Sequence, residues 1–191
     1  MIRERLIVGK HKEIVGLDPS VILINPKYPH NIGSTIRAAS CFGFKQVWYT
    51  GDRVPMDSGM RLPREERMKG YADVELYQFD YPFDCFADDI IPVAVEIVPN
   101  SESLIDFEHP EKAIYVFGPE DGSIPQVIKR FCHRFVTIPT KHCVNLSSAG
   151  YLIMYDRMVK RVRDRLDSPP ELIEDRGWWS PDEWEKDMKR K

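Results

Sequence analysis

VILINPKYPHNIGSTIRAASCFGFKQVWYT, residues 21–50, decides the fold. Val21 to Ile24 is a short apolar, β-branched run, Asn31 to Phe42 is helix-like, and Gln46 to Thr50 returns to strand composition. The same alternation continues outward. Further strand candidates lie at Val74 to Tyr77, Ile91 to Ile97, Ala113 to Phe117 and Phe135 to Ile138, with helix-like stretches at Phe83 to Asp89, Ser101 to Phe107 and Ser123 to Phe131. Alternating strands and helices predict an α/β fold, a mostly parallel sheet with helices on both faces. The longest helix is predicted from about Ser147 to Leu166. Ala149, Leu152, Ile153, Met158 and Val162 form its apolar stripe, and Arg157, Lys160, Arg161, Arg163 and Arg165 populate the other face.

A chain of 191 residues with 42% hydrophobic content is long enough for one sizeable core and short for two. Residues 1–166 are therefore read as one domain. Ser168, Pro169 and Pro170 break the last helix, leaving residues 167–191 as a tail carrying Trp178, Trp179 and Trp184. Those rings suit packing on this subunit or on a partner, or stacking on bases. The formal net charge of -3 carries no nucleic-acid signature in bulk, but the charge is segregated. Tyr71 to Glu111 holds eleven acids and no Lys or Arg, whereas Lys27 to Lys69 holds eight bases against four acids and Lys129 to Arg165 nine against two. Two readings stay open: one positive face built from the two basic stretches, or ordinary solvated surfaces.

No apolar run approaches the roughly eighteen residues of a membrane span, and charges within Met1 to Lys10 exclude a secretory core there. Cys41, Cys85, Cys132 and Cys143 are scattered without a CxxC pair, which fits reduced thiols in a soluble cytoplasmic protein. Adjacent pairs Cys132-His133 and His142-Cys143 lack metal-ligand spacing, so no metal is expected.

Three loops after strand candidates carry chemistry-bearing residues, as loops at strand ends do in open parallel sheets. Residues 25–44 read NPKYPHNIGSTIRAASCFGF, with neither GxGxxG nor a P-loop, which disfavours a dinucleotide or phosphate-cradle site. Arg37 follows Asn31 by about one and a half turns among Ile36, Ala38 and Ala39. It suits either a salt bridge to a core carboxylate or a fork on a phosphate or substrate oxygen. GPEDGSIPQ, residues 118–126, projects Glu120 from a stiff turn whose Gly118 allows close backbone approach. PTKHCVNLSSAG, residues 139–150, sets Asn145, Ser147 and Ser148 where a helix cap is needed. Hydrolase signatures such as GxSxG and HExxH are absent.

Taken in order, NIGSTIRAASCFGF, YVFGPEDGSIP and IPTKHCVNLSSAGYLIMYDR resemble the three motifs of the SpoU-type branch of the SPOUT superfamily of RNA ribose 2′-O-methyltransferases, over roughly Val21 to Arg163. The resemblance implies an α/β fold with a C-terminal deep trefoil knot, S-adenosylmethionine as cofactor and a homodimer with sites near the subunit interface. It implies that Arg37, Asn31, Glu120, Asn145 and Ser147 are catalytic. By the same likeness Val95, Glu96, Gly118, Ile138, Cys143, Val144 and Leu146 contact the cofactor, largely through backbone atoms. Cys143 departs from the pattern: many members carry serine there, and a thiol is a weaker hydrogen-bonding group.

Methyl transfer from a sulfonium needs a hydroxyl oxygen held about 3 to 3.5 Å from the methyl carbon and shielded from water. Since a ribose hydroxyl is a poor nucleophile, a guanidinium beside the adjacent phosphate would clamp the substrate and favour its alkoxide. The high pKa of arginine makes electrostatic stabilisation by Arg37 the better reading than proton abstraction. RNA would be gripped by Arg61, Arg64, Arg67 and Lys69 and by Lys160, Arg161 and Arg163, through phosphates rather than bases. The compact organisation favours tRNA over rRNA. The alternatives are a non-catalytic RNA-binding module on the same fold and a base-directed RNA methyltransferase.

Overall fold

The computed structural model describes residues 6–8, by backbone alone, together with 15–55 and 73–168. Its elements in chain order are β1 (Leu6–Val8), β2 (Ser20–Leu23), α1 (Pro29–Phe42), β3 (Gln46–Tyr49), β4 (Glu75–Gln78), β5 (Ile91–Val95), β6 (Glu102–Ser103), β7 (Ala113–Phe117), α2 (Gln126–Lys129), β8 (Arg134–Thr137) and α3 (Leu146–Arg163). All eight strands join one sheet in the order β1-β4-β3-β2-β7-β5-β8-β6, and every described pairing is parallel.

Strand side chains alternate between the two faces, so near-continuous apolar runs feed two cores. Val21, Leu23, Val47, Tyr49, Val93, Tyr115, Phe117 and Val136 pack on one side with Ile32, Ile36, Ala39, Ile153 and Met154 of α1 and α3. Ile22, Trp48, Tyr77, Ala94, Ile114 and Val116 pack on the other with Ile124, Phe83, Phe86 and Ile128. α1 stops at Gly43, which takes a left-handed φ of 77° and donates its N–H to Ala39 O, a conformation strained for any residue with a Cβ.

Three helix expectations are corrected. Phe83 to Asp89 contributes only a 3-10 turn, Pro82–Cys85; Asp84 and Asp88 one helical turn apart would repel. Ser101 to Phe107 opens with β6, which pairs with β8 and is tied to it by Glu102, whose carboxylate accepts from Arg134 Nε at 2.9 Å. Ser123 to Phe131 shrinks to α2, because Pro125 holds the residue before it extended and delays the helix to Gln126.

The basic exterior expected on α3 is also smaller than its composition suggests. Arg157 is 5% exposed. Its guanidinium donates to Pro110 O at 2.6 Å and Glu111 O at 2.7 Å. Lys160 turns inward, donating to Phe107 O at 3.1 Å and to Leu104 O and facing Asp156 at 2.8 Å. His109, with a side chain 1% exposed, bridges Tyr115 Oη at 2.7 Å and Asp156 at 2.8 Å. α3 is thus braced against the segment that leads into β7.

Among the described residues no helix is long and apolar enough to cross a membrane. The four cysteines are unbridged. Cys132 is buried, its thiol donates to Ile128 O at 3.6 Å, and burial pushes its pKa up to about 12. Trp178, Trp179 and Trp184 lie outside the described residues.

Candidate active site

Because β2 and β7 are neighbours in register, Leu23 opposite Phe117, the loops leaving their carboxyl ends must meet. The N-cap position of α1 is Tyr28, which offers no side-chain cap. The neighbouring loop supplies one. Glu120 accepts the backbone N–H of Lys27 at 2.7 Å and of Tyr28 at 3.3 Å, and its other contact is the Asn31 side-chain amide. A carboxylate at this end of α1 also complements the positive end of the helix dipole.

Asn31 is 5% exposed and carries the connection onward. A carboxylate can only accept, so Nδ2 of Asn31 faces Glu120 and its Oδ1 is left to accept from Asn145 Nδ2 at 3.0 Å. Asn145 in turn uses Oδ1 to cap α3, accepting from Ser147 N at 2.9 Å, Ser148 N at 3.3 Å and Ser147 Oγ at 2.7 Å. One unbroken chain, Glu120 to Asn31 to Asn145 to Ser147, therefore ties together all three loops singled out in the sequence. Ser147 is 8% exposed with its hydroxyl engaged in the cap.

Arg37 stands apart from that chain. Helical periodicity turns Ile36, Ala38 and Ala39 to the core and leaves Arg37 exposed, on the face shared with His30 and Cys41. Among the described residues it has no hydrogen bond and no ion pair, so the core-carboxylate reading is set aside. An exposed, unpartnered guanidinium is placed to meet an anionic ligand.

The loops after β7, β5 and β8 leave the sheet side by side. Glu96, at the end of β5, accepts Ile97 N at 3.1 Å and Ile124 N at 2.8 Å and lies 3.6 Å from Lys129 Nζ. Its side chain thus holds the second loop in place, and its backbone N–H donates to Val136 O at 3.0 Å. The second loop folds tightly at Gly118, where an added Cβ would sit 2.9 Å from Ile124 N. Residues 139–145 are exposed throughout, including Cys143 and Val144, while Val95 and Ile138 are half-buried and Leu146 is 9% exposed in the core. Among the described residues the N–H groups of 140–144 donate no backbone hydrogen bond. Free main-chain donors next to Ile138 and Val144 fit a ligand with a flat apolar body and polar edges.

Arg61, Arg64, Arg67 and Lys69 lie outside the described residues. Arg161 and Arg163 pair with Asp167 and Asp164, at 2.6 Å and 2.7 Å, and Lys160 faces inward. Sequence reasoning missed a second ionic group at the site. Asp121 receives both terminal nitrogens of Arg53, at 2.9 and 2.7 Å, and lies 3.4 Å from Lys27 Nζ. The available signal was position, since each of the three residues lies in a loop just after a strand.

Known proteins resemble this chain in sequence and in fold. The model of the SpoU rRNA methylase family matches residues 18–155. Among curated proteins, the tRNA (cytidine-2'-O-)-methyltransferase TrmJ of Methanocaldococcus jannaschii is 28% identical over 161 residues, 76% of this chain and 70% of that one. Among solved structures, the A. aeolicus TrmH/SpoU tRNA modifying enzyme superposes with a TM-score of 0.67 at 18% identity, covering 94% of this chain and 87% of the other. The SpoU methyltransferase AviRb from Streptomyces viridochromogenes, solved in complex with AdoMet, gives 0.64 at 18% identity, covering 83% and 63%.

Proposed function

The chain belongs to the SpoU rRNA methylase family, and from that premise we propose that it transfers the methyl group of S-adenosylmethionine to a ribose 2′-OH of tRNA. The observation that carries the reading is the convergence of Glu120, Asn31, Asn145 and Ser147 from three distant loops at the start of α1, the helix whose exposed face carries the unpartnered Arg37. The tRNA preference draws support from TrmJ and the A. aeolicus enzyme, both of which are tRNA-directed.

S-adenosylmethionine, when bound, supplies an electrophilic methyl carbon on a sulfonium. The free N–H groups of residues 140–144, with Ile138 and Val144, suit its heterocycle, and Gly118 allows close approach from the second loop. Arg37 clamps the phosphate next to the reacting ribose and stabilises charge developing on its oxygen. Glu120, Asn31 and Asn145 fix the start of α1 against the start of α3, so that the guanidinium is carried on a rigid support. The C-terminal half is read as knotted, in keeping with the β7-β5-β8-β6 order and the brace that holds α3 on residues 104–111.

A homodimer is part of the reading. Leu152, Tyr155 and Val159 are 41%, 53% and 39% exposed on one stripe of α3, an apolar surface suited to a second copy. Four unbridged cysteines and an RNA substrate suit the cytoplasm.

The test is incubation with methyl-labelled cofactor and separate tRNA and rRNA pools, followed by nucleoside mass spectrometry. The reading requires a 2′-O-methylated nucleoside in tRNA and its loss with Arg37→Ala, by about a hundredfold or more, while cofactor binding persists. Arg37→Lys should fail as well, because a point charge cannot reproduce the fork. A methylated base in place of the ribose, or full activity of Arg37→Ala, would defeat it.

A further inference from the structure

We propose that Arg53 and Asp121 form a positioning pair that sets the direction of Glu120, and through it the start of α1, for the transfer reaction. The inference rests on the reading that residues of the three loops catalyse methyl transfer, and it concerns two residues to which the motif resemblance gives no role.

The tip of the second loop, Asp121 to Ser123, is exposed, and its internal support is a single long turn bond from Gly122 N to Pro119 O at 3.4 Å. Its base is fixed at Ile124, whose N–H donates to Glu96 at 2.8 Å. The tip therefore lies between Glu120 and this anchored base. Without a hold on the tip, the carboxylate would be free to swing away from Lys27 N, Tyr28 N and Asn31.

Arg53 provides that hold. It comes from the loop after β3 and grips Asp121 with a bidentate fork at 2.9 and 2.7 Å, while Nη1 also donates to Asn25 O at 3.4 Å. The loops after β3, β2 and β7 are thereby joined at one point. Lys27 adds a second cation to Asp121 at 3.4 Å, and Lys27 is also the residue whose N–H Glu120 accepts. The Arg53 side chain is 28% exposed and that of Asp121 46%. A pair this open adds little to global stability, whereas a planar fork fixes direction as a single point charge cannot. With both of its terminal nitrogens on Asp121, Arg53 is engaged in the protein rather than held ready for an RNA phosphate.

The experiment compares wild type with Arg53→Ala, Asp121→Asn, the double variant and the charge exchange Arg53→Asp with Asp121→Arg. Steady-state methyl transfer is read as separate kcat and KM values. Amide hydrogen exchange of Lys27 and Tyr28 is followed in the protein without substrate. The proposal expects each single variant to lose about tenfold in kcat with the KM for RNA and cofactor unchanged. The double variant should be no worse than either single one, and the charge exchange should recover part of the loss. The Lys27 and Tyr28 amides, which Glu120 accepts, should exchange about tenfold faster while those of β5 and β7 stay as they are. Unchanged exchange at Lys27 and Tyr28 overturns the pair as a support for Glu120. Unchanged kcat with a raised KM for RNA and a shallower salt dependence overturns it in favour of phosphate binding by Arg53. Should wild type methylate no RNA, the functional reading fails on its own, and the exchange rates still decide whether the pair directs Glu120.

Discussion

Acidifying the protein from neutrality is expected to weaken it through one buried imidazole. His109 sits between two partners: Asp156 can only accept, so Nε2 carries the proton, and Nδ1 is left to accept from the Tyr115 hydroxyl. That arrangement needs a neutral ring. Burial, against the raising influence of Asp156 and with Arg157 and Lys160 nearby, pushes the His109 pKa from 6.5 down to about 4. The unfolded chain therefore takes up a proton below about pH 6.5 that the folded one refuses until near pH 4, and stability falls as pH falls through that window. At 1.36 kcal/mol for each pH unit, the ceiling is about 3 kcal/mol, with about 2 kcal/mol reached near pH 5. Urea denaturation of wild type and His109→Gln at a series of pH values isolates the contribution, since other titrating groups are common to both. The variant should be weaker at pH 7 but lose less on acidification, so that the two stability curves converge toward pH 5. Parallel curves over that range would refute the argument and place the acid sensitivity elsewhere.

Asn145→Ala removes both the cap of α3 and the bond to Asn31, with an expected cost of about 2 kcal/mol and a fall in Tm of roughly 5 °C by calorimetry. Asn145→Asp keeps the capping oxygen but cannot donate to Asn31, so it should retain most of the stability and lose most of the activity. Gly118→Ala places a methyl 2.9 Å from the backbone nitrogen of Ile124, which cannot yield as a side chain would; titration calorimetry should show cofactor affinity reduced about tenfold. On the homodimer proposed above, Tyr155→Glu puts a charge into the exposed apolar stripe of α3, and sedimentation at micromolar concentration should show dimer for wild type and monomer for the variant.

The sheet was legible because its strands are buried on both faces and so read as unbroken β-branched runs. β1 and β6 were not: Leu6–Val8 spans three residues and Glu102–Ser103 two, too short for any periodicity, and β6 lies inside a stretch where Leu104 and Phe107 have helical spacing. Arg157 misled for a different reason. Its position, four residues after Ile153 and three after Met154, lies on the buried stripe, and its charge was assigned to the surface when carbonyl oxygens of Pro110 and Glu111 awaited it inside. At the site, the residue types and their order could be read from the chain. Their junction could not, because Asn31 and Asn145 are 114 positions apart, after strands β2 and β8 that β7 and β5 separate in the sheet, and only the packing of α1 against α3 brings them together. Arg53 and Asp121 form no pattern in the sequence, since a loop-to-loop ion pair has no period.

The sheet order has a consequence for synthesis on the ribosome. β2 lies between β3 and β7, so one long edge of Ser20–Leu23 finds its neighbour only when Ala113–Phe117 emerges. At the roughly 5 to 20 residues per second of translation, the nascent chain carries that apolar edge unpaired for about 5 to 20 seconds. Slow stretches of message between these two strands should therefore lower the yield of native protein, and chaperone contact should concentrate on ribosomes paused there.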